Sequence, residues 1–376
     1  QNHIFDKLME QEKDLGLMNI MKFVIRVRAH IIKYIACVFA LTLFVFPQIV
    51  SAEGDQYFDG KIQQVNTETG VITVVLQNDG AVVEIENNEI GISGLDFQKG
   101  DRVVVTQSED VAGKLFYYIT DFKRSSVLVW LFVLFVLLTT IVGRKKGLAS
   151  LCGMVFSFCI LFWFVIPRIM AGGNPIVFSI LGAFIIIPVI FLLSHGVNKK
   201  TTSAMIGTII ALIITGVLAH VSIHFSKLTG LATEEAAMLG GLGISIENIK
   251  GLLLGGIIIG LLGILDDVTV TQASLVYKLK ETNPNLSKTA LFGKAIDVGR
   301  DHIASVVNTL VLVYAGAAMP LLLLFVDSSL SYEQAINVEI VAEEIVRTLV
   351  ATIGLILAVP ITTYVACYRI GSKKGN

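Results

Sequence analysis

The chain has 376 residues, 54% of them hydrophobic and only 16% charged, with a mean hydropathy of +0.75. This composition excludes an ordinary soluble domain and predicts an α-helical polytopic membrane protein. The net charge of −1 gives no electrostatic basis for nucleic-acid binding, and cysteines confined to apolar segments exclude a disulfide framework.

The N-terminal region has the pattern of a secretory leader behind an extension. Residues 1–20 are polar and remain an unassigned extension. Residues 21–52 contain a basic stretch, an apolar run and then Val50-Ser51-Ala52, a small-residue cleavage pattern. This order predicts a signal peptide, with an uncleaved anchor helix as the alternative.

Residues 53–122 differ in kind from the rest of the chain. Four short runs of β-branched or aromatic residues are separated by glycine-containing turn signals. They predict a small β-barrel-like domain, OB-like, which is extracytoplasmic because it follows the signal segment. No metal or nucleophile constellation is visible in it, so a structural cap and a binding module both remain open.

Residues 123–376 form the predicted transmembrane domain. Seven apolar stretches are each long enough for about 30 Å of hydrocarbon. The predicted spans are residues 126–143, 147–167, 175–195, 203–224, 251–274, 303–326 and 345–368. Pro188, Pro320 and Pro360 lie inside spans and predict kinks, because proline removes a backbone hydrogen bond.

The orientation follows from the distribution of basic residues. The segments after the first, third, fifth and seventh spans are rich in Lys and Arg, and the other loops carry few. The positive-inside rule makes these basic segments cytoplasmic, the C-terminus included. The signal peptide independently places residues 53–122 outside, so two signals predict the same topology.

The fifth span contains two adjacent carboxylates, Asp266 and Asp267, where the helix is still expected to be in or near lipid. A charge at the bilayer centre costs about 3 kcal/mol, so such residues are interpreted as functional by default. Asp266 lies about 100° around the helix from Asp267, which predicts different environments. The alternative is that the pair marks the solvated cytoplasmic end of the helix.

One face of the fifth span is predicted to pack closely and then to become polar. Its members follow one another at intervals of three or four residues, which places them on a single helical face. They are Gly256, Gly260, Gly263, Asp267, Thr271 and Ser274. The glycines form a small-xxx-small seam that could serve within the bundle or between subunits of a homo-oligomer.

The sixth span carries a second polar face, formed by Asp301, Ser305 and Asn308, with Thr309 beside it. We hypothesise that this face meets the Asp267 face and that the two line a path. The alternative is a structural contact, because a buried Asn in a membrane usually hydrogen-bonds to a neighbouring helix.

Two further sites lie at the predicted outer surface. Glu343 and Arg347 begin the seventh span as an i,i+4 pair, which indicates either an outer gate or a local ion pair. His220 and His224 share a face at the end of the fourth span and form a weak metal-site candidate. Histidines at the membrane interface are the ordinary explanation, and no metal is predicted. No other cofactor is predicted either, and the lack of a Walker sequence argues against nucleotide binding.

Several ordered motifs resemble the YibE/F family of multi-pass bacterial membrane proteins. The resemblance covers about residues 55–370, and residues 1–20 depart from it. Its main motifs are Gly143-Arg-Lys-Lys-Gly147, Gly251–Gly260, Leu265–Ser274, Gly299–Ser305 and Glu343–Arg347. It implies a bacterial cell-membrane protein with an extracytoplasmic N-terminal domain, and it supplies no catalytic residues.

The leading functional hypothesis is a transporter or permease coupled to a proton or a cation, not an enzyme, that moves a small solute or ion across the bilayer. Its polar path consists of Asp266, Asp267, Thr271, Ser274, Asp301, Ser305, Asn308 and Thr309. One alternative is a membrane receptor or assembly factor that uses the external β domain. The other is an intramembrane aspartyl enzyme, in which Asp267 and Asp301 share a proton.

Overall fold

The computed structural model describes residues 56–66, 69–78, 80–86, 96–109, 113–327 and 330–370. The predicted extension and signal segment, residues 1–52, lie outside the described residues. The chain divides into two compact units, whose boundary falls between Arg144 and Lys145. We call them the sheet unit and the bundle unit.

The sheet unit contains a five-stranded antiparallel sheet in the order β3-β2-β1-β4-β5. The strands are β1 (Gln56–Asn66), β2 (Val71–Leu76), β3 (Val82–Glu86), β4 (Arg102–Glu109) and β5 (Leu115–Phe122). The four predicted strands are all present. The sequence did not predict β1, because its eleven residues are mostly polar and only a few, such as Ile62, point into the core.

The core of the sheet follows from alternation along the strands. In β2, Ile72, Val74 and Leu76 are buried and their neighbours are half-buried, as expected when successive side chains point to opposite faces. Gly70 and Gly100 have φ values of 70° and 100°, which confirms the turns predicted there. The end strands β3 and β5 also contact one another, so the sheet curls into a half-barrel.

The rest of the described chain is helical. The helices are α1 (Ser125–Ile160), α2 (Ile166–Met170), α3 (Pro175–His195), α4 (Lys199–Phe225), α5 (Glu234–Gly241), α6 (Ile246–Thr282), α7 (Lys288–Ala317), α8 (Met319–Asp327), α9 (Tyr332–Ile336) and α10 (Glu339–Ile370). A π-helical turn, Leu161–Val165, joins α1 to α2. N-caps formed by Asn174, Asn198, Ser245 and Ser287 fix the starts of α3, α4, α6 and α7.

Five helices of the described chain are long and apolar enough to cross a membrane, or six if α7 and the residues after it form one span bent by 68°. The predicted count of seven is therefore not confirmed. The difference lies in Ser125–Met170, a single 46-residue candidate where the sequence predicts two spans. A straight helix of this many residues would be about 69 Å long at 1.5 Å per residue, more than twice the hydrocarbon thickness. The backbone of this candidate leaves the helical region at Arg144, where φ is 50° and ψ is −133°.

The break between α7 and α8 lies at Ala318, two residues before Pro320. This agrees with the predicted kink, since proline has no N–H to donate to the carbonyl four residues earlier and its ring crowds that preceding turn. Pro188 and Pro360, by contrast, lie inside helices that continue on both sides.

Glycines set the closest helix contacts in the bundle unit. A Cβ atom at Gly207 or Gly354 of the α4–α10 pair would collide with Thr362 or Thr215 of the other helix. Both contacts fit antiparallel helices, because rising residue numbers in α4 meet falling numbers in α10. Close approach of backbones through small residues is typical of helix packing in membranes.

α3 and α6 run in the same direction. Gly251 of α6 contacts Pro175 of α3, and Gly255 contacts Ser179 one turn further along. These registers define two ends of the bundle. We call the end at which α10 begins with Glu339 the acidic end. The opposite end, at which α4 begins with Lys199 and Lys200, is the basic end.

Candidate functional site

The two adjacent carboxylates of α6 lie in different environments, as predicted. Asp267 is exposed. Asp266 is half-buried, and its Oδ1 atom is buried without a hydrogen-bond partner. A buried carboxylate oxygen without a donor is costly, since it has lost water and gained nothing in return. Asp266 is therefore the unusual member of the pair.

The register of α3 against α6 gives the depth of this pair. Extending the Gly251–Pro175 contact along both helices brings Asp267 level with about Phe191, one turn before α3 ends at His195. The charge of Asp267 also acts on the His195 imidazole. The pair therefore lies towards the basic end rather than at the middle of the bundle.

A buried pair of hydroxyl groups adjoins Asp266. Thr269 of α6 and Thr208 of α4 are both fully buried, and their Oγ1 atoms are 2.7 Å apart. The Thr269 hydroxyl also lies 3.3 Å from the backbone carbonyl oxygen of Asp266. The sequence analysis did not select either threonine, because Thr269 lies off the predicted polar face of its span and Thr208 lies in an apolar stretch.

Gln272 forms a three-helix junction one turn further towards the basic end. Its Nε2 atom donates to the Ala295 carbonyl of α7 at 3.0 Å and lies 2.7 Å from Thr363 Oγ1 of α10. Gly299 of α7 leaves the room for this amide, because a Cβ there would lie 3.1 Å from Nε2. The sequence analysis missed Gln272 as well.

The predicted glycine seam does not pack within the described chain. Nothing lies within 4 Å of a Cβ placed at Gly256, Gly260 or Gly263, and all three are exposed. The close approach uses Gly251 and Gly255 instead, which lie on a neighbouring face of the same helix. The expectation of an intramolecular seam at the first three glycines is therefore wrong, whereas a seam between subunits stays a prediction.

The remaining residues of the predicted path lie on the surface of the bundle unit. Thr271, Asp301, Ser305, Asn308 and Thr309 are exposed, and Ser274 is half-buried. The hydroxyl groups of Ser274 and Thr309 donate to carbonyls of their own helices, at 2.6 and 3.0 Å.

Apart from the Gln272 junction, α6 and α7 meet through apolar side chains. Val268 of α6 belongs to one buried cluster with Leu310 of α7, and Ile264, Ile303 and Val306 pack against it. The structure therefore brings the two helices together beside their predicted polar faces rather than through them. Asp267 and Asp301, the proposed aspartyl dyad, are both exposed and share no hydrogen bond in the described structure.

At the acidic end, the predicted pairing of Glu343 with Arg347 is wrong. Arg347 Nη1 donates to Glu344 Oε2 at 2.5 Å, an i,i+3 pair. Glu343 is only 5% exposed, and its Oε1 atom is buried without a hydrogen-bond partner. Two of the four orphaned buried polar atoms in the described structure are thus carboxylate oxygens, those of Asp266 and Glu343.

The histidine pair of α4 does not form a metal site in the described structure. His220 and His224 are exposed, and the His224 ring packs against Phe225 at a centroid distance of 5.6 Å. Among the described residues, no three or more His, Cys, Asp or Glu side chains are close enough to hold a metal ion.

Comparison with known proteins identifies one family. The family described as YibE/F-like protein matches residues 131–372. This range begins within α1, omits the sheet and contains α2 to α10 with every site residue discussed above. No curated protein and no solved structure matches the chain.

Proposed function

The chain belongs to the YibE/F-like family, and we propose that it is a membrane permease that moves a small solute or ion in a step coupled to a proton or a cation. The family and the apolar helices together indicate a membrane protein. Transport, the number of crossings and the orientation are the parts that we propose.

The proposed topology has seven crossings, with Ser125–Met170 counted as two. Its length and the non-helical Arg144 support this division. The basic segments then fall on the cytoplasmic side of a bacterial cell membrane, and the sheet lies outside. For the sheet we propose an OB-like barrel, because its strand order and the approach of β3 to β5 match a partly open five-stranded barrel.

The observation that carries the transport proposal is the orphaned oxygen of Asp266. It lies on a helix apolar enough to cross a membrane, and no donor compensates its burial. Binding of a proton or a cation neutralises such a group, and its release restores the charge. Ionisable residues with this placement in membrane proteins usually belong to ion or proton paths.

The neighbouring polar groups have different proposed roles. Thr208 and Thr269 would provide hydroxyl groups beside Asp266, and Gln272 would hold α6, α7 and α10 in register. The exposed polar residues, together with the half-buried Ser274, form one wall of the proposed path, and a second copy of the chain is a candidate for the other wall. They are Asp267, Thr271, Ser274, Asp301, Ser305, Asn308 and Thr309.

Proton flux into proteoliposomes tests the proposal. The full chain is reconstituted with a pH-sensitive dye inside, and a potassium diffusion potential drives proton entry. We expect Asp266→Asn to reduce the flux to background and Asp267→Asn to reduce it partly. The matched control is Asp297→Asn, which removes an exposed carboxylate of α7 that pairs with Arg300 and should leave the flux unchanged. The measurement is then repeated with an imposed sodium gradient. If Asp266→Asn retains the wild-type flux under both conditions, a coupling role of Asp266 is refuted.

A receptor or assembly factor remains the second candidate. The observation that favours it is the open sheet, since β3 and β5 each pair with a single strand in the described residues and so present unpaired backbone groups. Deleting residues 53–122 should abolish such a function but only modulate transport. The aspartyl enzyme is not favoured, because a shared proton requires Asp267 and Asp301 to be hydrogen-bonded.

A further inference from the structure

A single carboxylate of α10 holds the loop between α4 and α5. Glu339 Oε1 accepts hydrogen bonds from the Thr229 hydroxyl at 2.7 Å, from the Gly230 N–H at 3.1 Å and from the Thr229 N–H. Gly230 has a φ of 77°, and a Cβ there would lie 3.0 Å from the Ile249 carbonyl oxygen. The loop is therefore fixed between the starts of α10 and α6.

Glu343 lies one turn further along α10, beneath this loop. Only 5% of its surface is exposed, and its Oε1 atom has no hydrogen-bond partner. Glu339, four residues earlier on the same helical face, acts electrostatically on this carboxyl group. Two neighbouring carboxyl groups thus share this end of α10, and the hydrogen bonds from the loop go to Glu339.

This arrangement is unfavourable for two negative charges. Like charges one helical turn apart repel each other, and the three donors of the loop all go to Glu339, which leaves the buried Glu343 carboxylate uncompensated. The nearest cation, Arg347, is hydrogen-bonded to Glu344 at 2.5 Å. One proton removes a charge from the site, while Glu339 keeps the three hydrogen bonds that fix the loop.

We propose that Glu339 and Glu343 hold one proton between them, and that its loss to water releases the α4–α5 loop from α10. With both groups ionised, their repulsion is relieved when Glu339 turns away from the loop. The site is thus a proton-operated latch at the acidic end of the bundle. It lies apart from Asp266, and its test does not depend on any transport activity.

Other titratable groups surround the latch. Those that act electrostatically on Glu343 are Glu339, Glu344 and Arg347 of α10. The other elements around it also carry such groups: His224 and Lys227 at the end of α4, Glu247 and Lys250 at the start of α6, Tyr314 of α7, and Tyr332 and Glu333 of α9. The variants below separate the latch from these groups.

Hydrogen exchange of the full chain in lipid nanodiscs tests the latch. The exchange of the Thr229 and Gly230 amides is followed by mass spectrometry over a pH series, after correction for the intrinsic pH dependence. We expect the protection of these two amides from exchange to fall about tenfold in the wild type as the pH rises through the titration of the Glu339–Glu343 pair. Glu343→Gln mimics the protonated acid and should stay protected at every pH. Glu339→Gln loses the charged acceptor and should be less protected at every pH.

Glu333→Gln is the matched control, because it removes an exposed carboxylate of α9 that is not among the groups acting on Glu343, and it should titrate like the wild type. Infrared spectroscopy provides a second readout in an Asp266→Asn background, which removes the other carboxyl group with an orphaned oxygen. There the band of a protonated carboxylic acid should be present, and it should be lost when Glu343→Gln is added. A wild-type loop whose protection does not change with pH would overturn the proposal. So would a Glu343→Gln variant that still titrates, or an acid band that persists in it.

Discussion

Replacing Gly299 by alanine tests the three-helix junction at Gln272. A Cβ at this position would lie 2.8 Å from Val359 Cγ1 and 3.1 Å from Gln272 Nε2. Forcing an extra methyl group into a packed site costs about 1–3 kcal/mol. Displacing the Gln272 amide would also remove two interhelical hydrogen bonds, which average about 0.6 kcal/mol each in membranes.

Gly293→Ala is the matched comparison, since Gly293 lies on the same helix and nothing is within 4 Å of a Cβ there. Both substitutions gain the same helix propensity, about 1 kcal/mol, which cancels in the comparison. We therefore expect Gly299→Ala to be about 2–4 kcal/mol less stable than Gly293→Ala. The free energy of unfolding is measured in mixed micelles by circular dichroism with increasing denaturing detergent.

Equal stabilities of the two variants would show that α7 does not approach α6 and α10 at Gly299, and the junction would be refuted. A further substitution sharpens the result. Gln272→Ala shortens the side chain that the new methyl group displaces. In the Gly299→Ala background, Gln272→Ala should therefore lower the free energy of unfolding by less than it does in the wild type.

Three further outcomes are expected. A double-mutant cycle of Thr208→Val and Thr269→Val should give a coupling free energy of about 0.6 kcal/mol in micelle unfolding, and additive effects would contradict their hydrogen bond. Gly230→Ala should accelerate limited proteolysis of the α4–α5 loop, because an L-residue at this positive φ costs about 1–2 kcal/mol, whereas Gly241→Ala, with nothing near its Cβ, should not. Ile119→Ala, at a fully buried position, should destabilise the sheet by about 2–5 kcal/mol, measured by hydrogen exchange of its strands.

Local patterns predicted the sheet better than they predicted the helix contacts. Strands such as β2 and the turns at Gly70 and Gly100 depend on side-chain alternation and on backbone freedom, both visible in a short window. The strand β1 was missed because its pairing partners on both sides, rather than its own composition, keep it extended. Nothing local in its sequence carries that information.

The glycines of α6 show why tertiary packing was harder to predict. Gly251 and Gly255 have the same spacing as Gly256 and Gly260, and the two pairs lie on different faces of one helix. Either pair permits a close contact, so spacing alone does not choose between them. The choice depends on where Pro175 and Ser179 of α3 lie, which no pattern within α6 encodes.

The acidic end illustrates the same limit for charges. Glu343 and Glu344 are both within one turn of Arg347, at spacings of four and three residues. The i,i+4 rule favoured Glu343, but that carboxylate is buried and Arg347 pairs with Glu344 instead. The orphaned oxygens of Asp266 and Glu343 emerge only once the surroundings of each side chain are known.

The central position of α10 has a consequence for the order in which the protein matures. Chains emerge from the ribosome N-terminus first, so α4 and α6 enter the membrane well before α10 is made. Until then, Gly207 and Gln272 lack Thr362 and Thr363, the partners that they contact in the finished bundle. α4 and α6 therefore expose surfaces that lack their packing partner until α10 is inserted. The packing of α4 and α6 is completed only when the last helix of the bundle is in place.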